Sequence, residues 1–179
     1  MKRSVALILA MVLCLTFVGC VEVEEGVRKE TVPAIEAATT APATEENKEL
    51  IFGLNEVAAF SALKFTATEF KESKGDKYFK PESGNVFVGV KFTIENISNE
   101  KQNVSSLLLF DGYVDDVKCA YSFSAACAFA EGTIDGEVAA GKKLIGWYAL
   151  EVPADWKTIE LDVVDDWLSD NTAKFVFTK

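Results

Sequence analysis

Four cysteines, no histidine and two loose groups of aspartates are where chemistry could reside in this chain. The missing histidine removes the Ser–His and Cys–His dyads, the commonest general base and the commonest zinc ligand together. Asp111, Asp115 and Asp116, and later Asp162, Asp165, Asp166 and Asp170, offer oxygen ligands of the kind calcium takes. Neither group has EF-hand spacing, and exposed acidic turns are ordinary in a chain of net charge −10. Paired carboxylates for glycoside hydrolysis must face each other across about 5 to 9 Å. Adjacent aspartates on a strand instead point to opposite faces. The expectation is therefore no catalytic residue, no metal site and no cofactor: a protein that is not an enzyme. The 28 acidic residues against 18 basic ones repel phosphate backbones and argue against nucleic acid.

The cysteines divide by position. Met1-Lys2-Arg3 is followed by an uncharged apolar run, Val5 to Val18. A membrane-spanning helix needs about 20 such residues, so this shorter run reads as a signal peptide. It ends in Val18-Gly19-Cys20, which resembles a bacterial lipobox, where a small residue precedes the cysteine that is lipidated and becomes the new N-terminus. The resemblance implies that residues 1–19 are removed and that Cys20 carries the lipid. It further implies export, with the chain held on the outer face of the bacterial cell membrane. Removing Lys2 and Arg3 leaves 16 basic against 28 acidic residues, a net of −12. Cys14 leaves with the signal, so Cys119 and Cys127 remain to meet an oxidising compartment, where they are expected to pair. A bond over so short a loop is worth about 2.5 kcal/mol in the chain-entropy model. Two buried free thiols are the alternative.

Residues 20–49 are acidic and poor in large apolar side chains, a composition that cannot offset chain ordering, and they are expected to form a disordered tether. Its reach, on the order of 30 Å, would hold a folded head clear of a bilayer. Composition changes at Leu50-Ile51, and residues 50–179 read as one domain. Leu63 to Thr68 alternates apolar and polar residues. Val86, Val88, Val90, Phe92 and Ile94 share one parity, the mark of a half-buried strand. Asn103 to Phe110, Val117 to Phe123, Lys142 to Val152, Thr158 to Val164 and Lys174 to Thr178 complete the set. Asp111-Gly112 and Asp115-Asp116 read as turn or bulge signals. Tyr121 to Ala130 reads as a strand and loop tucked onto the sheets, and no segment has a helical stripe of three turns. About seven short strands in this length argue for an all-β antiparallel sandwich. Val88, Val90, Phe92, Ile94, Leu144, Tyr148, Leu150 and Leu161 should share its core. Gly146 falls on the same inward face, where a side chain would crowd the facing sheet.

Two stretches carry a family resemblance. VFVGVKFTIENISNEKQNV pairs an alternating valine strand with Asn96 and a polar turn. AAGKKLIGWYALEVPADWKTIELDV sets Gly141, Gly146, Leu150, Val152-Pro153 and Glu160-Leu161 in order. Together they resemble the telokin-like, immunoglobulin-related bacterial domains of unknown function, lipoproteins akin to secreted immunoprotective antigens. The resemblance implies an immunoglobulin-like sandwich in a cell-surface setting, with no activity or catalytic residues to carry over.

Ile145, Trp147 and Ala149 must face away from that core. An outward Ile and Trp is unusual for a sheet in water. Either the Tyr121–Ala130 segment or the last strand covers Trp147, or Ile145 and Trp147 anchor an exposed binding patch. The leading expectation is a lipid-anchored, non-enzymatic surface domain that binds a protein or other envelope partner. A small-molecule or ion-binding accessory lipoprotein is the alternative, favoured by an aromatic-lined pocket of a few hundred Å³.

Overall fold

The computed structural model describes residues 27–30, 50–129, 132–168 and 170–179. The signal peptide, Cys20 and most of the expected tether lie outside the described residues. The strands in chain order are β1 (Arg28–Glu30), β2 (Ile51–Phe52), β3 (Val57–Ala59), β4 (Leu63–Ser73), β5 (Asn85–Asn96) and β6 (Gln102–Val104). They continue as β7 (Phe110–Val114), β8 (Val117–Cys119), β9 (Gly136–Val138), β10 (Lys143–Pro153), β11 (Thr158–Val163) and β12 (Ala173–Thr178). One short helix, α1 (Phe123–Cys127), stands between β8 and β9.

Alternation decides the layers. The first sheet runs β1-β3-β4-β5-β10, antiparallel throughout, and the second runs β2-β12-β11-β7-β8, with only β2 parallel to its neighbour. Val88, Val90, Phe92 and Ile94 of β5 and Tyr148 and Leu150 of β10 turn inward onto Leu161 of β11 and Phe175 of β12. Leu144 packs against the same core from its margin, so the inward set read from parity holds. Aromatic rings cross the gap between the layers: Phe110 stacks on Tyr148 at 5.0 Å and Phe92 meets Phe175 edge-on at 5.2 Å. Burial pushes the Tyr148 phenol far above its ordinary value. The protein is thus an antiparallel β-sandwich.

Asn96, where β5 ends, is fully buried and fully satisfied. Its amide donates to the carbonyls of Glu100 and Val138 at 2.7 and 2.8 Å, and its oxygen accepts from Ser98 N–H and Oγ. A buried polar group must be paired in this way, which gives the strand-then-Asn signature a physical reason.

Several expectations change. There are twelve strands among the described residues rather than about seven, the excess being two- and three-residue pieces too short to show a period. Asp111-Gly112 is no turn: both lie inside β7, where Gly112 pairs with Leu161 and leaves room for the Leu150 side chain. Asp115-Asp116 does form the β7–β8 turn, both at positive φ (46° and 68°) as a two-residue hairpin turn of mirror-image type requires. Phe123–Cys127 is helical, capped by the Ser122 hydroxyl, which accepts from the Ala125 N–H. A Cβ on Gly146 would lie 2.3 Å from the Thr133 carbonyl oxygen, so the crowding neighbour is that segment rather than the facing sheet.

Part of the stretch expected to be disordered is a strand. Arg28–Glu30 pairs with β3, since adding a strand to an edge uses main-chain groups and needs little apolar surface. Lys29 fixes it, with Nζ 2.7 Å from the Glu56 carboxylate, donating to the Ile51 carbonyl and lying over the Phe52 ring.

Candidate functional site

The outer face of the first sheet carries the most informative side chains. Register places Trp147 opposite Lys91, and Ala149 opposite Gly89. Gly89 and Ala149 are small, so aromatic rings can lie flat on the strands. A Cβ at Gly89 would stand 2.7–2.9 Å from the rings of Phe129 and Trp147. Phe129 stacks on Trp147 at 4.8 Å and 18°, and with Phe87, Ala125, Ala126 and Ala149 they form a second buried cluster. Trp147 is 3% exposed. The exposed-patch reading of Trp147 is therefore corrected: residues 121–129 cover it, as the competing expectation had it. Ile145, two residues earlier on the same face, is 49% exposed and stays on the open part.

The covering segment also protects an edge. Ser122 N–H donates to the Ala149 carbonyl and Trp147 N–H to the Gly132 carbonyl, so β10 offers no long unpaired margin there.

Where the cover ends, a cleft of about 200 Å³ opens. Trp147, Phe129 and Ala128 line one side; Glu69, Lys71, Glu72 and Ser73 of β4 line the other. The Lys71 and Lys91 ammonium groups each lie 5.9 Å from the Trp147 ring centre, within cation–π range. The Trp147 indole N–H is buried with no hydrogen-bond partner. Glu72 accepts from the Trp156 indole and from Lys179 Nζ, both at 3.0 Å, and these bonds, Lys179's first, hold its carboxyl below the ordinary value. Sequence reading missed β4's part in the cleft because the alternation breaks at Thr68-Glu69. A bulge shifts the register there, and the strand runs on to Ser73 with Glu69, Lys71 and Ser73 outward.

The other candidate residues serve structure. Cys119 and Cys127 are free thiols, so the expected bond is not formed. Cys119 packs against the main core and points its thiol at the Glu151 carbonyl, while Cys127 ends the helix whose alanines belong to the outer cluster. Burial pushes the Cys119 thiol up. Asp115 accepts from the N–H groups of Lys157 and Thr158, Asp111 pairs with Lys118 at 2.8 Å, and Asp165 holds Ser61 and Ala62. The aspartates are thus spread over separate turns and strands.

A second surface lies at one end of the sandwich. Leu107 and Leu108, before β7, are 74% and 61% exposed; Trp167 and Leu168, after β11, are 66% and 72% exposed.

A two-layer antiparallel sandwich with an aromatic-lined cleft and no assembled catalytic constellation among the described residues defines a class of small β-sandwich domains. Residues 52–174 match the family described as domain of unknown function DUF4352, and the chain belongs to that family. Among solved structures it is similar to a candidate lipoprotein of Bacillus subtilis strain 168, with TM-score 0.54 and 17% identity. That match covers 65% of this chain and 36% of the other, so the chain spans little more than a third of that protein's length. It is also similar to an uncharacterized β-sandwich protein of Clostridium difficile 630, with TM-score 0.51 and 18% identity, over 77% of this chain and 99% of that one. These likenesses bear on the fold. No curated protein matches the chain. No helix among the described residues is long and apolar enough to cross a membrane.

Proposed function

We propose that the chain is exported, cut before Cys20 and anchored through it, and that residues 50–179 form an immunoglobulin-like head that binds an envelope partner without catalysis. The lipobox-like Val18-Gly19-Cys20 supports the anchor, and the likeness to the B. subtilis candidate lipoprotein is in keeping with it. The observation that carries binding is the cleft between Trp147 and β4, with exposed Ile145 on the same face. At about 200 Å³ it falls short of the roughly 300 Å³ where small-molecule pockets begin. It suits one side chain of a partner, with the cations over Trp147 and the Glu69 carboxylate of β4 at its mouth.

The test is recovery of partners from detergent-solubilised envelope by the full chain. Ala128→Trp, which fills the cleft, and Ile145→Asp should keep the melting midpoint and lose the partner. Equal recovery by wild type and both variants refutes this face as the binding surface. Intact mass tests the anchor: the purified protein should begin at Cys20 with a lipid adduct.

A further inference from the structure

Leu107, Leu108, Trp167 and Leu168 belong to neither buried cluster. Their two connections are brought together by pairing of Phe110 with Val163 and by the bond from Val164 N–H to the Leu109 carbonyl at 3.0 Å. The N-terminal side of the chain arrives at that same end. Arg28 pairs with Ala59, so Val27 stands beside the turn that joins β3 to β4. Ser61 and Ala62 of that turn donate to the Asp165 carboxylate, two residues before Trp167.

We propose that this end is a membrane-contact surface, with Trp167, Leu168, Leu107 and Leu108 seated in the headgroup region of the bilayer that anchors Cys20. The proposal rests on the lipid anchor proposed above. Seven Cα–Cα steps lead from Cys20 to Val27, a reach of at most ~25 Å. β5 has 12 residues and spans ~40 Å. While β1 stays paired, the opposite end of the sandwich, with the β7–β8 turn and Lys179, therefore cannot be turned onto the membrane. Tryptophan favours the interface between acyl chains and water, and leucine supplies buried apolar area. Asp166 and Asp170 beside Trp167 oppose an anionic surface. The anchor offsets this by holding the loops at high effective concentration, so a few apolar side chains suffice. A protein partner or a second copy on these loops is the competing occupant.

Trp167 makes the test direct, because the chain's other two tryptophans, Trp147 and Trp156, are buried. The full chain, its mass taken first, is reconstituted into phosphatidylethanolamine–phosphatidylglycerol vesicles containing phosphatidylcholine with a nitroxide near the top of its acyl chain. Nitroxide lipid should quench a share of the emission that aqueous iodide does not reach, and Trp167→Phe should abolish that share. In a chain whose mass shows the lipid, emission quenched by iodide and untouched by nitroxide overturns the membrane contact and leaves the anchor standing. Nitroxide quenching that survives Trp167→Phe overturns it as well, since the contact then lies elsewhere. A mass without lipid overturns the anchor, and the contact with it.

Discussion

Replacing Trp147 by Ala is the sharpest probe of the covered outer face. The side chain is 3% exposed and stacked on Phe129 at 4.8 Å. Truncating a buried aromatic costs about 3–5 kcal/mol. Two features push the value toward the lower end. The new void opens into the existing cleft, where water can enter, and the lost indole N–H was buried without a partner, which returns about 1 kcal/mol. The expected loss is about 3 kcal/mol. For residues 50–179, at about 3–5 °C per kcal/mol, the melting midpoint should fall by roughly 10 °C. Thermal unfolding of the detergent-purified full chain by circular dichroism reads this. Ile145→Ala serves as the control and should stay within about 0.5 kcal/mol of wild type because Ile145 is half exposed. A Trp147→Ala midpoint within about 2 °C of wild type would falsify the claim that the cover over this face contributes to stability.

Other expectations follow from the same packing. Gly146→Ala sets a Cβ against the Thr133 main chain, which Trp147 N–H holds through the Gly132 carbonyl, so it should cost more than about 2 kcal/mol of stability by chemical denaturation. An unchanged midpoint would sink that packing argument. Intact mass after alkylation without reduction should show both Cys119 and Cys127 modified, Cys119 slowly because burial raises its pKa; a mass that changes only after reduction would contradict the free thiols. Glu56 and Glu72 have carboxyls held low, chiefly by Lys29 and Lys179 respectively. Their stabilising effect is fully present above the unfolded value of about 4.3 and is lost as pH falls through the lower folded values. Glu56→Gln with Glu72→Gln should therefore flatten the acid limb of a stability profile, and a limb identical to wild type would count against both pairings.

The long strands were legible because each keeps one parity apolar for the inner core, even where the 121–129 segment also buries part of the outer face of β5 and β10. The alternation in Val86–Ile94 and in Lys142–Val152 left one register, and the structure adopts it. Even the rival fates of Trp147 followed from parity, though parity alone could not choose between them, since what covers an outward face comes from distant chain. β1 was invisible because its three residues, Arg28–Glu30, are held by main-chain pairing and one lysine, neither of which leaves an apolar pattern. The cleft was half visible. Trp147 was singled out, but the Ala67/Glu69 bulge interrupts the period that would have carried β4 outward to Lys71 and Ser73.

The three-residue pairing of β1 with β3 also sets a length. With it formed, a chain anchored at Cys20 leaves seven residues before the head begins, a leash of ~25 Å. With it broken, the leash runs to Leu50, thirty residues and up to ~100 Å. The rest of the sandwich does not need β1 to keep its order, because β3 is hydrogen-bonded to β4 on its other side. A pull on the anchor runs along β1 and meets its few hydrogen bonds together, in shear, before it reaches any strand of the core. Stretching would then proceed in two stages, the second opening only once β1 has left β3. Given the proposed anchor at Cys20, the edge strand would act as a mechanical fuse, and the distance between head and membrane would become something that tension can change and rest can restore.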